Sequence, residues 1–185
     1  MPKDLPVEIP ALETELAFKG RVWDVVSERF EFQGQELVRD FIRHPGAVAV
    51  IALNDAQEVL LIRQYRRPVG AFLWELPAGL LDVPGESLET AALRELAEET
   101  DFTTSKIEHL ITFHPSPGGN SESIAIFLAT DLRQIEIGFE RTAEEVDLQP
   151  TWIPLVEAVD SVMRSELKNS VAALAILTLA RKLGI

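Results

Sequence analysis

The order of apolar runs along the chain is the feature that most limits its fold. Two β-branched runs, AVAVIAL (47–53) and EVLLIRQYR (58–66), are separated by NDAQ, which predicts two strands joined in a hairpin. The predicted elements after them are a helix to about Glu99, strands in KIEHLITFHP, ESIAIFLATDL and LQPTWIPL, and helices at roughly 154–165 and 168–183. Because this order lacks βαβ alternation, we predict an α+β fold, a mixed β-sheet layered between helices.

The first 43 residues are predicted to form an N-terminal arm followed by strands. Residues 1–15 are acidic and rich in proline, which predicts a loose or partner-dependent arm. The stretches RVWDVVSERFEF and QELVRDFIR flank Gly34 and predict a pair of strands. We therefore divide the chain into an N-terminal arm with strands (1–43) and a main domain (44–185).

Composition excludes several kinds of protein. The 185 residues include no cysteine, which removes disulfides, zinc–thiolate sites and thiol nucleophiles. The formal net charge of −13 argues against a nucleic-acid binder. The most apolar run, VAALAILTLA, is too short to span a bilayer, and no secretion signal is evident. We expect a cytoplasmic protein without membrane or nucleic-acid partners.

Three glutamates crowd one short helix. Glu95 lies three residues before Glu98 and four before Glu99, so all three share one side. Such a side is either solvated or binds cations, since repulsion at this spacing costs only about 0.2–0.5 kcal/mol. The preceding loop, LPAGLLDVPGE, favours cations because Gly79 lets backbone approach a ligand, and carboxylate and carbonyl oxygens suit Mg²⁺ or Mn²⁺. Since Mg²⁺ typically brings substrate phosphates, the cluster predicts a phosphate or pyrophosphate substrate.

Residues 79–102 resemble the Nudix box, G-x5-E-x7-R-E-U-x-E-E-x-G-U, where U is a bulky aliphatic residue. Gly79 is followed by six residues and Glu86, and seven more lead to RELAEE at 94–99. The one extra residue should fall in the loop before the helix. Asp101 stands where the family has glycine, at a predicted C-cap where positive φ is favoured, so we expect a modest stability cost there. The resemblance implies the Nudix fold for most of the chain, with an N-terminal β-strand extension.

The resemblance also implies roles within the box. Two or three Mg²⁺ ions (or Mn²⁺) would be held by the Ala78 carbonyl and by Glu95, Glu98 and Glu99. Arg94 would act in catalysis by orienting the glutamates, together with Glu86, through charge-assisted hydrogen bonds.

The implied reaction is attack of water on one phosphorus of a pyrophosphate, with a carboxylate accepting the proton. In one group of the family this base often lies on an acidic loop after the box, which in this chain would be GFERTAEEVDLQP (138–150). Glu145 is the first candidate, Glu144 the second and Asp147 the third. The alternative is that this segment is simply a soluble acidic loop.

Three further stretches resemble the ADP-ribose pyrophosphatase group of the family: QYR (64–66), WELPAG (74–79) and SPGGNSE (116–122). The proline-glycine stretch alone is equally typical of a hairpin turn. The substrate-binding residues that this resemblance implies are Trp23, Arg39, Arg66, Glu75, Pro117 and Glu122. Trp23 is equally well explained as a core or interface aromatic, Arg39 as a surface residue, and Arg67 is an alternative to Arg66.

The implied function is metal-dependent hydrolysis of ADP-ribose to AMP and ribose 5-phosphate. The group usually forms homodimers in which the N-terminal strands complete shared active sites. One alternative is hydrolysis of other nucleoside diphosphate sugars or of dinucleotides. Another is a non-catalytic Nudix-fold ligand sensor, but such proteins typically lose box carboxylates, and this chain keeps them.

Overall fold

The computed structural model describes residues 1–136 and 149–185. It contains two compact units. The first comprises Met1–Pro45 together with Ser116–Glu122, and the second comprises Gly46–Pro115 and Ser123–Ile185.

The first unit is built on a three-stranded antiparallel sheet of β1 (Ala11–Phe18), β2 (Asp24–Phe32) and β3 (Gln35–Arg43). The predicted hairpin about Gly34 is confirmed, because β2 and β3 pair from Phe32↔Gln35 onward. Gln33 and Gly34 both have positive φ (53° and 78°), as a tight two-residue hairpin turn requires.

The loose arm predicted for residues 1–15 is wrong for its last five residues, 11–15. β1 begins at Ala11, directly after the last proline of the segment, and pairs with β2. Proline has no N–H to donate to a β-sheet ladder, and the three prolines of this segment all lie at or before residue 10. The residues after Pro10 are therefore able to form a strand.

Residues 116–122 belong to the first unit because they hydrogen-bond to the end of β3. The Ile42 N–H donates to the Gly119 carbonyl and the Ser121 N–H donates to the Ile42 carbonyl, both at 3.0 Å. The SPGGNSE stretch is thereby fixed against β3 through its backbone.

The second unit contains two sheets. The first has the order β7-β4-β10-β9, formed by β4 (Ala47–Ala52), β7 (Ala78–Leu80), β9 (Lys106–Phe113) and β10 (Ile124–Thr130). Within it β10 runs parallel to β4, and the other pairs are antiparallel. The second sheet is antiparallel, with β12 (Thr151–Pro154) and β6 (Ala71–Glu75) on either side of β5 (Glu58–Arg66). A two-residue pair, β8 (Phe102–Thr103) and β11 (Arg133–Gln134), completes the strands.

The predicted hairpin between β4 and β5 is wrong, although the turn between them exists. The Asn54 N–H donates to the Glu58 carbonyl at 3.0 Å, and the Asn54 side chain binds Glu58 in return. Pairing ends after one bridge, Leu53↔Val59. Since β7 and β10 hydrogen-bond to both edges of β4, that strand has no free edge for β5.

Helices cover both faces of the four-stranded sheet. α1 (Leu88–Thr100) packs against one face, and α2 (Leu155–Met163) and α3 (Ser170–Leu183) pack on the opposite side. Val48 and Val50 of β4 belong to the hydrophobic cluster that contains the buried apolar residues of α1. Ala49 and Ile51 of β4 belong to the hydrophobic cluster that contains the buried residues of α2 and α3. The predicted mixed sheet between helices is confirmed. None of the described helices is long and apolar enough to cross a membrane.

Candidate active site

Helix α1 has well-defined ends that fix the direction of its side chains. The Ser87 hydroxyl accepts a hydrogen bond from the Thr90 N–H at 3.1 Å and caps the N-terminus. At the other end Asp101 adopts the left-handed conformation (φ 61°, ψ 26°), as predicted for the position where the Nudix box has glycine. The buried residues of α1 are the apolar Ala91, Ala92 and Leu96 and the polar Glu99 and Thr100. Glu95 and Glu98 on the same helix are partly buried.

Glu99 links α1 to β7. Its residue is only 8% exposed, and its Oε2 accepts a hydrogen bond from the Ala78 N–H at 2.9 Å. The resemblance to the Nudix box implies a role for Ala78 through its carbonyl. The contact that the structure adds is made by the N–H of the same residue, which fixes the Glu99 carboxylate beside β7.

Gly79 makes room for Glu95. A Cβ atom built on Gly79 would lie 2.1 Å from the Glu95 carboxyl carbon and 2.1 Å from its Oε1. These separations are far below van der Waals contact, so no side chain fits at position 79 while Glu95 keeps its place. The glycine of the box is therefore needed for space.

Arg94 is the centre of the carboxylate cluster. Its Nε and Nη2 donate to the two Glu86 oxygens at 3.1 and 3.0 Å. Its Nη1 donates to Glu95 at 2.6 Å and to Glu98 at 3.2 Å. The predicted orienting contact between Arg94 and Glu86 is present, and one guanidinium holds three carboxylates.

The cluster carries excess negative charge in partly buried surroundings. Four carboxylates (Glu86, Glu95, Glu98 and Glu99) against one guanidinium leave a formal charge of −4 + 1 = −3. Hydrogen bonding to Glu86 raises the pKa of Arg94, and the same bond lowers the pKa of Glu86. Burial raises the pKa of Glu95, against the opposing effect of Arg94. Nearby Asp82, which is not among the predicted site residues, adds to that rise in the pKa of Glu95 through its charge.

The residues of the cluster fit a divalent cation in charge and donor type. Within residues 1–136 and 149–185, no three acidic or histidine side chains are arranged so that they could bind one metal ion together. Arg94 and the Ala78 N–H instead engage the carboxylates. The donors are all carboxylate oxygens, which Mg²⁺ and Mn²⁺ prefer, and the net charge of −3 favours cations at this place.

Arg66 and Glu75 form a bidentate ion pair at the ends of β5 and β6. Arg66 Nε and Nη2 donate to the two Glu75 oxygens at 3.0 and 2.7 Å. Glu75 is 5% exposed, whereas the Arg66 side chain is 45% exposed. Two residues that were each predicted to bind substrate are thus paired with each other in the structure.

In the first unit, Trp23 and Glu122 meet at His44. The Trp23 and His44 rings stack with centroids 4.7 Å apart, and His44 Nε2 lies 3.4 Å from Glu122 Oε1. The His44 N–H also donates to the Ser121 hydroxyl at 2.9 Å. The sequence does not predict a place for His44 in the site, because its stacking partner is 21 residues away, beyond any local signal.

Arg39 and Pro117 line the same cleft of the first unit. Its volume is about 430 Å³, and its wall consists of residues 39–41 and 117–121. The Arg39 guanidinium donates to the Val38 carbonyl at 2.7 Å. The remaining candidates, Glu144, Glu145 and Asp147, lie outside the described residues.

The chain is similar to known proteins over most of its length. The family model of the NUDIX domain matches residues 43–174. The chain is 36% identical over 171 residues to an ADP-ribose pyrophosphatase of Mycobacterium tuberculosis, covering 92% of this chain and 82% of that protein. It is 34% identical over 171 residues to an ADP-ribose pyrophosphatase of Bacillus subtilis, covering 92% and 91%.

A solved structure has the same fold. It is the crystal structure of an ADP compounds hydrolase, with a TM-score of 0.79 and 24% sequence identity, covering 98% of this chain and 97% of that chain.

Proposed function

The chain belongs to the Nudix family, and from that premise we propose that it hydrolyses the pyrophosphate bond of ADP-ribose, with divalent metal ions, to AMP and ribose 5-phosphate. The observation that carries the proposal is similarity over nearly the whole chain to two ADP-ribose pyrophosphatases. A match confined to the box would support only the chemistry, but this similarity also includes stretches outside the box.

The carboxylate cluster would hold the metal ions. Glu95, Glu98 and Glu99, with the Ala78 carbonyl, are the proposed ligands of two or three Mg²⁺ ions, with Mn²⁺ as the alternative. When bound, the ions lower the pKa of the attacking water and neutralise phosphate charge. Arg94 orients the glutamates, and its contacts with Glu86, Glu95 and Glu98 support this role.

The proton of the attacking water goes to a carboxylate of the loop 138–150. Glu145 is the proposed base, with Glu144 and then Asp147 as alternatives. This assignment rests on the sequence, since these residues lie outside the described part of the chain.

The proposed substrate contacts are Trp23, Arg39, Arg66, Glu75, Pro117 and Glu122. Trp23 offers a flat ring to adenine, and Arg39 and Arg66 offer guanidinium groups to phosphates. The cleft that Arg39 shares with Pro117, and the half-exposed guanidinium of Arg66, support these contacts.

The proposed assembly is a homodimer with shared active sites, in the cytoplasm. An apolar surface on β1 supports association, since Leu12, Leu16 and Phe18 are each more than half exposed. Exposed apolar patches commonly mark protein–protein contacts. A chain without cysteine also suits a reducing compartment.

The test is to incubate the purified protein with ADP-ribose, a panel of nucleotide sugars and diadenosine polyphosphates, with Mg²⁺ or with EDTA, and to separate the products. We expect AMP from ADP-ribose in preference to all other substrates, and only with metal. Faster turnover of a different pyrophosphate would support the proposed hydrolysis and would contradict ADP-ribose as the preferred substrate. Tight binding without turnover of any compound would favour a ligand sensor.

A further inference from the structure

Arg66 and Glu75 lie on the same face of the β5–β6 ladder. Opposite residues of antiparallel strands point to the same side, and alternate residues along one strand share that side. Arg66 is opposite Ala71, and Glu75 is opposite Ile62. Since Ile62 and Arg66 are four residues apart on β5, and Ala71 and Glu75 are four apart on β6, all four side chains project from one face.

The ion pair extends over most of the length of β6. Glu75 lies four residues from the register partner of Arg66, which is about 13 Å along a strand. Nevertheless the Arg66 guanidinium meets both Glu75 oxygens at 3.0 and 2.7 Å. Both side chains must therefore extend along the sheet toward each other, and Glu75 determines where the guanidinium lies.

The two partners differ in their access to solvent. Glu75 is almost fully buried, and both of its oxygens face Arg66. The Arg66 side chain is nearly half exposed, and Glu75 engages it through Nε and Nη2. A guanidinium carries five N–H donors in a rigid planar fork, so a partner that binds one edge also sets the direction of the other N–H groups.

Glu75 also stands close in sequence to the carboxylate cluster. Only the buried Leu76 and Pro77 separate it from Ala78, whose N–H holds Glu99. The strand end that carries Glu75 leads directly into the wall of the candidate active site. The charge of Arg66 is thereby drawn toward that end of β6.

We propose that Glu75 is a positioning residue, which fixes the Arg66 guanidinium to receive a phosphate of the substrate and does not itself contact the substrate. The inference rests on the proposed function, in which Arg66 binds the pyrophosphate. It refines the role of Glu75 from a substrate contact to a residue that acts through Arg66.

The test is a double-mutant cycle of Glu75→Gln and Arg66→Gln, with kcat and KM measured for each variant. Glu75→Gln alone should raise KM about tenfold and change kcat much less, as for loss of a charge-assisted hydrogen bond. In the Arg66→Gln background, Glu75→Gln should have no further effect. Equal effects in both backgrounds, or an unchanged KM for the single variant, would overturn the proposal.

Two further variants guard against a purely structural effect. Arg66→Gln leaves a buried carboxylate unpaired and can impair folding, so Arg66→Lys, which keeps the charge, provides a second background. Glu75→Asp keeps the charge but shortens the side chain, and because the pair is already extended it should raise KM as Glu75→Gln does. Full activity of Glu75→Asp would contradict the geometric argument.

Arg63→Gln is the matched control, since Arg63 lies on the other face of β5 over the Phe72 ring. This variant should leave KM unchanged.

Failure of the positioning role of Glu75 can be distinguished from failure of the proposed function. The cycle uses whichever nucleoside diphosphate derivative the wild-type protein hydrolyses, so failure with ADP-ribose contradicts the substrate and leaves the cycle valid. A readout without turnover is the ¹⁵N NMR signal of the Arg66 Nε–H group, assigned by its loss in Arg66→Lys. Glu75→Gln should shift this signal and speed its exchange with water. An unchanged signal would overturn the proposal.

Discussion

Gly79 shows how one hydrogen atom in place of a side chain shapes the candidate site. Its backbone needs no positive φ, so alanine would be acceptable there on conformational grounds. A Cβ would nevertheless overlap the Glu95 carboxylate. We therefore expect Gly79→Ala to displace Glu95 and to lower kcat/KM at least about a hundredfold, the effect of a misplacement near 1 Å.

The control for Gly79→Ala is Gly34→Ala. Gly34 has a φ of 78° but open space where a Cβ would lie, so alanine there adds strain without overlap. Its effect should be on thermal unfolding and not on kcat/KM measured with folded protein. Wild-type kinetics for Gly79→Ala would contradict the spatial role of the glycine.

Glu99 provides a direct test of the metal site. Glu99→Gln should reduce turnover to the level seen with EDTA, because an amide is a poor ligand for Mg²⁺. The fold should persist, since the remaining carbonyl oxygen still accepts from the Ala78 N–H. Glu89→Gln, an exposed change in the first turn of the same helix, should leave turnover unchanged. Metal-dependent turnover retained by Glu99→Gln would exclude Glu99 as an essential ligand.

Glu145 is tested by separating rate from affinity. Loss of a general base costs about 10²–10⁴ in rate, so Glu145→Gln should lower kcat by that factor with little change in substrate affinity. Glu140→Gln, in the same segment of sequence, is the matched control. If Glu145→Gln keeps full activity, the base is another residue, and Glu144→Gln is the next variant to measure.

At the scale of elements, the end of α1 carries a measurable strain. Asp101 holds the left-handed conformation that costs L-residues about 1–2 kcal/mol and glycine almost nothing. Asp101→Gly should raise the free energy of unfolding by up to about 1 kcal/mol, and Asp101→Val should lower it. Denaturant unfolding measures both, with turnover unchanged. A glycine variant less stable than wild type would show that the Asp101 side chain contributes more than its backbone costs.

Elements with local signals could be predicted from the sequence. The hairpin about Gly34, the helix of the box with its Asp101 cap and the two C-terminal helices follow from turn residues, caps and periodicity. The pairing of strands could not be predicted in the same way. β4 and β5 read as a hairpin, but the edges of β4 are occupied by β7 and β10, which lie far apart in sequence.

The candidate site shows the same division between local and distant information. The spacing of Glu95, Glu98 and Glu99 is a property of one helix, so the sequence predicts that they lie together. The bond between Glu99 and the Ala78 N–H spans 21 residues, and the overlap at Gly79 depends on the path of β7 beside α1. Arg66 and Glu75 were recognised singly, but their pairing needed the β5–β6 register.

At the scale of the whole molecule, the apolar surface of β1 predicts self-association. Removing residues 1–40 should abolish both the dimer and activity. A smaller change is Leu16→Glu, which places a charge on a strand whose residues are all exposed in the single chain. Light scattering after size exclusion should show a dimer for wild type and a monomer for Leu16→Glu, with Glu15→Gln on the alternate face as the control. An active monomer would contradict the shared active site.

Strand β4 has a consequence for how the second unit comes apart. Both of its edges are hydrogen-bonded, and its alternate residues are buried against α1 on one side and against α2 and α3 on the other. Separation of either helical layer would expose half of the same strand to water. We therefore expect α1 and the two C-terminal helices to unfold as one cooperative unit, so that the carboxylate cluster on α1 opens only together with this core.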